Sequence, residues 1–349
     1  MKRNEEMEAR SYMKKNVLPI LAVLLAVLTV TILLPAALIW LWPDREKDPV
    51  TTPIELQTAP SDAQVAVYLT DQKQLITMPL EQYVRGVVAA EMPVHFEPEA
   101  LQAQAIAART YIVRRMAGGK KSELYPQADV SDNHNEGQAF SSEEKLKQRW
   151  GSADYEQNLS KINAAVNATR GQIALYEGKP IEALFFSTSS GKTENSEDYW
   201  GSTVAYLRSV DSPWDAKSDK FTATQEISLA DFYKKLGLHA LPAAEIGSLI
   251  KPIERSVTDH IKKIKVGDQE FSGPEFRSKL GLRSTLFTWQ VNTANSTISF
   301  FTTGFGHGVG LSQYGANGMA QEGKKSDEII RHYYQGVTLG QVSDILPTN

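Results

Sequence analysis

Apolar and polar positions change rhythm several times along the chain. Val17 to Trp42 is a run of 26 residues without a charge. At about 1.5 Å per residue, a helix of that length crosses roughly 30 Å of hydrocarbon. Lys2, Arg3, Arg10, Lys14 and Lys15 precede it. That bias predicts residues 1–16 in the cytoplasm, 17–42 as a single transmembrane anchor, and an extracytoplasmic body on the cell membrane. A cleaved signal peptide is the rival reading, but the run is too long for one. Residues 43–62 are rich in Pro, Thr and Asp with no apolar period, the pattern of an extended linker. Residues 63–345 carry the patterns of a folded body.

Within that body Val65, Val67 and Leu69 alternate, 71–74 turn, and Leu75-Ile76 resume, which predicts a hairpin. Leu80, Val84, Val87 and Glu91 share one stripe of a helix that opens at Pro79 and is stopped by Pro93. A second helix runs from Pro98 to about Met116, its alanines permitting close approach of a neighbour. Ser141 and Glu144 have the spacing of a capping box for a helix to Trp150, and another helix spans about 155–169. Gln172–Tyr176 and Ile181–Phe186 read as strands, followed by a Ser/Thr loop at 187–194. Residues 211–290 are less regular, although 231–238 and 275–282 are alike at six of eight positions. A glycine-rich loop at 304–310 precedes helices near 311–322 and 326–335. Helices and strands mix without βαβ alternation, so the expected class is α+β, with two lobes around a cleft.

Composition removes several functions. Apolar residues make up 42% and charged residues 22%, enough for a core. The net charge of −4 offers no basic excess for phosphates, which argues against nucleic acid. The absence of Cys excludes disulfides, Cys-based zinc sites, iron–sulfur clusters and thiol nucleophiles. The six histidines show no HExxH or close pair, so neither metal nor another cofactor is expected.

Glu91 is the most informative ionisable residue. A carboxylate on an apolar stripe is desolvated, and a helix C-terminus also disfavours negative charge. Both effects favour a proton donor at neutral pH, as general acid catalysis needs. The alternative is an ion pair with Arg109 or Arg85. His307 stands in Gly304-Phe305-Gly306-His307-Gly308-Val309-Gly310, which is neither a Walker loop nor a dinucleotide fingerprint. Ser187 or Ser189 with His307 would suit a serine hydrolase, but no GxSxG elbow is present.

Four ordered blocks resemble the stage II sporulation protein D family. They are Leu80 to Pro93, Glu99 to Tyr111, Phe186 to Glu194, and Gly306 to Ala316. The resemblance implies a membrane-anchored lytic transglycosylase that cuts peptidoglycan glycan strands, stripped of stem peptides, during septal thinning and engulfment. It places the catalytic acid at Glu91. It implies Arg109, Tyr111, Ser187 and Ser189 in the glycan site, together with Lys192, His307, Gln313 and Tyr314. Implied partners are a peptidoglycan amidase and a membrane protein of the engulfment machinery. Some relatives hold zinc through cysteines and a histidine near 131–138; here Cys is absent, Gly137 precedes Gln138, and no zinc is expected. Ser190 and Phe305 replace a common Gly and Trp. A lytic transglycosylase needs no second acid, whereas a two-carboxylate glycosidase does; Glu194, Glu197 and Asp198 are available in the 187–198 loop. The competing class is a non-catalytic glycan binder that enhances an amidase.

Overall fold

The computed structural model describes residues 7, 13–14, 25, 27–29, 31, 53–59, 62–133, 137–240 and 245–346. The expected anchor, the cytoplasmic segment and most of the linker lie outside or nearly outside that set. Among the described residues no helix is long and apolar enough to cross a membrane. The chain divides into Met1–Pro53 and Ile54–Asn349. The linker is shorter than expected, because its last part packs on the body. Ile54 N–H donates to Ser160 Oγ and Gln57 N–H to Asn167 Oδ1, each at 2.9 Å.

The body opens with a hairpin of β1 (Gln64–Leu69) and β2 (Gln74–Pro79), with β3 (Val130–Ser131) parallel to β1. The chain passes directly into α1 (Leu80–Glu91), which buries Leu80, Tyr83, Val84, Val87 and Val88. Pro93 prevents its continuation, and Met92 is already extended at φ −107°. The central helix is α2 (Pro98–Ala117), whose Ala100, Ala103, Ala105, Ala107 and Ala108 are wholly enclosed. Small side chains there let several elements pack on one cylinder.

The two helices expected over 141–169 are both present within α3 (Glu143–Ala168), separated at Gly151, whose φ of 69° and ψ of 167° are not helical. Its cap is Ser142, one residue after the expected Ser141. Strand β4 (Gln172–Tyr176) is as expected. The strand expected over Ile181–Phe186 is not continuous: β5 (Lys179–Pro180) pairs with β4, whereas β6 (Phe185–Phe186) joins another sheet. A short helix, α4 (Ser196–Trp200), follows the Ser/Thr loop.

A second core occupies residues 222–303. Strand β7 (Thr222–Ser228) leads into α5 (Leu229–Leu236), then α6 (Ile246–Leu249), β8 (Ile250–Arg255), β9 (Ile261–Val266) and β10 (Gln269–Ser272). Helix α7 (Gly273–Leu280), β11 (Phe287–Asn292) and β12 (Thr297–Thr303) complete it. Two antiparallel sheets, β10-β9-β8 and β11-β12-β7, enclose Phe232, Phe276, Phe287 and Phe300. The internal likeness seen in the sequence is real at this level. Each copy is a helix capped by a serine (Ser228, Ser272) and ended by a left-handed glycine (Gly237, Gly281).

The chain then returns to the first core. Strand β13 (Leu311–Ser312) pairs parallel with β6, and α8 (Gln313–Gln321) and α9 (Ser326–Tyr333) pack on α2. Strand β14 (Thr338–Gln341) closes the sheet beside β4. The body is thus α+β with two cores.

Candidate functional site

Glu91 is the last residue of α1 and is half-buried. Its Oε1 accepts the Ala139 backbone N–H at 2.7 Å. The surrounding loop is well anchored. Gln138 is buried and donates to Tyr83 Oη at 3.0 Å and to the Ala108 carbonyl at 3.3 Å. Ser141 N–H donates to the Gly86 carbonyl at 3.1 Å. That approach needs a glycine, since a Cβ at 86 would fall 2.3 Å from the Phe140 ring. Arg149 caps the end of α1 by donating to the Ala89 carbonyl at 2.9 Å.

Neither arginine considered as a partner for Glu91 has that task. Arg85 pairs with Glu143 at 2.5 Å. Arg109, expected in the glycan site, is completely enclosed. It meets Glu81 through two hydrogen bonds of 2.9 and 2.6 Å and donates to the Gln172 carbonyl at 3.0 Å. Its geometry is that of a structural pair tying α2 to α1 and β4. Tyr111 is half-buried, and its hydroxyl occupies the space a side chain at 137 would need, 2.5 Å from a Cβ there. Burial raises its pKa. The chain has no Cys, and Tyr111 takes that space; His134, the histidine of this segment, lies outside the described residues.

The Ser/Thr loop and the glycine-rich loop run side by side. Isolated bridges join Thr188 to Phe305 and Glu194 to Val309. Glycines 304, 306, 308 and 310 all have φ between 83° and 126°. Ser187 is half-buried, and its carbonyl accepts Tyr314 N–H at 3.0 Å. Ser189 is buried, donating to Asp215 Oδ2 at 2.7 Å, with Ser312 and Ser212 on the same carboxylate. The pKa of Asp215 is raised by burial. No histidine serves either Ser187 or Ser189 among the described hydrogen bonds, which removes the serine-hydrolase reading. Lys192 is exposed and pairs with Asp211 at 3.0 Å, a surface contact worth little.

His307 Nε2 lies 3.0 Å from the Phe185 carbonyl, and its Nδ1 lies 3.2 Å from Val309 N–H. That assigns a neutral ring with the proton on Nε2. Burial holds its pKa down to about 4. The ring packs against Phe186, Tyr199 and Trp200. Gln313 is buried, its Nε2 3.4 Å from Gln104 Oε1. Tyr314 donates to Asp219 at 3.0 Å, and its ring meets Phe96 edge-on at 4.9 Å. Phe96 lies in the turn that follows Glu91, so this contact links the α1 end to the glycine-rich side. His307, Ser187, Gln313 and Tyr314 therefore belong to one neighbourhood; Arg109 does not open onto it.

Residues 68–176 match the family described as "Stage II sporulation protein". Stage II sporulation protein D of Bacillus amyloliquefaciens is 47% identical over 286 residues, covering 82% of this chain and 81% of its own. The chain belongs to the stage II sporulation protein D family. The Bacillus subtilis (strain 168) member is 44% identical over the same length. The amidase enhancer of that organism is 28% identical over 73% of this chain, but over only 40% of its own.

One polar cluster in this family member was not legible in the sequence as a cluster. Glu194 and His260 are both buried, with Oε1 and Nε2 3.9 Å apart. Ser190 Oγ is 2.9 Å from His260 Nε2, and Thr285 Oγ1 is 2.9 Å from Nδ1. Burial pushes Glu194 up to about 7 and His260 down to about 4. Ser190 and Glu194 both face Nε2 while Thr285 holds Nδ1, so no carboxylate orients the ring behind Ser190 as a hydrolase triad requires. The cluster spans both cores, and sequence separation hid it.

Proposed function

We propose that this family member is a lytic transglycosylase acting on peptidoglycan glycan strands. The observation that carries the reading is Glu91, a half-buried carboxylate at a helix end with one oxygen fixed by a backbone N–H. Glu91 protonates the glycosidic oxygen that follows N-acetylmuramic acid. The carboxylate so formed accepts the proton of the same sugar's C6 hydroxyl, whose oxygen attacks C1. The products are a 1,6-anhydro end and a free 4-hydroxyl, with no water consumed. A retaining glycosidase would place a second carboxyl about 5–5.5 Å away. Of the acids in the 187–198 loop, Glu197 pairs with Arg208, Asp198 with Lys262, and Glu194 is enclosed 3.9 Å from His260. This supports a one-acid reaction. Glu91→Gln should lower cleavage by about 10²–10⁴-fold, with melting unchanged; wild-type cleavage by the folded variant would defeat the assignment.

The body works on the outer side of a membrane in this proposal, held by residues 17–42, with an amidase and a membrane protein of the engulfment machinery as partners. A cysteine at Ser61, in a chain without others, should react with a membrane-impermeant reagent in intact cells. Labelling only after lysis would reverse the topology. A second reading is favoured by the relative named amidase enhancer: glycan binding that stimulates an amidase without cleavage. Stimulation by a wild type that never cleaves would select it.

A further inference from the structure

Helix α4 is a single turn held from several directions. Glu197 makes a two-pronged pair with Arg208. Asp198 meets Lys262 Nζ at 3.2 Å, and Tyr199 Oη accepts from Arg277 Nη1 at 3.0 Å. Gly201 ends the turn in the left-handed region, at φ 80°. Lys262 and Arg277 come from the second core, so the turn is gripped by both. Trp200 rides on this fixed turn, yet 48% of its surface remains exposed. The indole meets Tyr199 at 4.8 Å and His307 at 5.1 Å between ring centroids. An aromatic face already held still by its support can take a ligand with little ordering cost.

We propose that Trp200 is a stacking platform for a pyranose ring, forming a glycan subsite on the His307 side of the molecule. The proposal rests on the glycan-cleaving reading. A pyranose has an apolar C–H face and a rim of hydroxyls. The indole face suits the first, and the planar Arg208–Glu197 pair on the same turn suits the second. His307 adds a flat neutral wall rather than a charge, because both its nitrogens are already committed. A single exposed aromatic ringed by ion pairs fits one sugar better than a broad protein partner, whose footprint needs a contiguous apolar centre.

The test is calorimetric titration of the full-length chain in detergent, carrying Glu91→Gln to prevent turnover, with a hexasaccharide of N-acetylglucosamine. Adding Trp200→Ala should weaken binding about tenfold, the size of one aromatic contact. Trp200→Tyr, which keeps an aromatic ring on the turn, should recover much of the loss. In the chain with Glu91 intact, Trp200→Ala should raise KM on stripped glycan with little change in kcat. Unchanged affinity and KM in Trp200→Ala, or no hexasaccharide binding in the parent, overturns the proposal. The outcomes remain separable. Trp200-dependent binding without any cleavage by the wild type would refute the transglycosylase reading alone. Normal cleavage that ignores Trp200 would refute this inference alone.

Discussion

The guanidinium of Arg109 sits against the Glu81 carboxylate with neither in contact with water, at 0% and 4% side-chain exposure. Arg109→Ala should therefore cost about 3–5 kcal/mol in urea unfolding, because Glu81 is left buried without its partner. A substrate-binding Arg109 would raise KM and leave unfolding unaltered. Glu194 gives a pH prediction of definite sign. Burial lifts it from an ordinary 4.5 to about 7. In the interval between those values the folded state binds the extra proton. The stability it supports is present below about 4.5 and lost as pH rises through about 7. Desolvated His260 acts oppositely: its share is present above 6.5 and lost as pH falls through about 4. Glu194→Gln should therefore gain on the wild type across pH 4.5–7, by about 3 kcal/mol at most. Parallel stability curves for the two proteins would contradict this. The position of Glu91 was legible because an apolar stripe and Pro93 define one helix end. The role of Arg109 was not, since its partner stands 28 residues away and helix neighbours cannot be read from one sequence.

Helices α1 and α2 were legible because each opens on a proline and buries a recognisable face. The second core was not. Strand β7 reads Thr-Ala-Thr-Gln-Glu-Ile-Ser, and only Ile227 is fully buried, so the alternation signal is nearly absent. Its helices announced themselves through repeated local chemistry, a glycine after the last turn. The glycine-rich loop is the element where conformation matters most. Gly310 has φ 83°, and a Cβ there would lie 2.2 Å from the Leu184 carbonyl oxygen. Gly323 has a similar φ of 86° with nothing within 4 Å. Gly323→Ala should cost only the backbone strain of about 1 kcal/mol. Gly310→Ala should cost distinctly more, because a backbone oxygen must also move. Equal urea midpoints for the two variants would show that the loop yields freely.

At the scale of the whole molecule, two cores meet around the Ser/Thr and glycine-rich loops. Ser190–His260, Asp198–Lys262 and Tyr199–Arg277 cross between them. Two lobes were expected from the mixture of elements, but their boundaries were hidden in the least periodic third of the body. Glu91 takes part in none of these crossings, but Phe96 in the turn after it meets Tyr314 beside the glycine-rich loop. In the proposed reaction the chemistry falls to the first core and part of the glycan's grip to the junction. Mass analysis of products from the purified protein and stripped glycan tests this most directly. The expected products carry new 1,6-anhydro-N-acetylmuramic acid ends, absent when Glu91 is replaced by Gln. Reducing ends would require a hydrolytic water and a second acid, and would contradict the one-acid reaction.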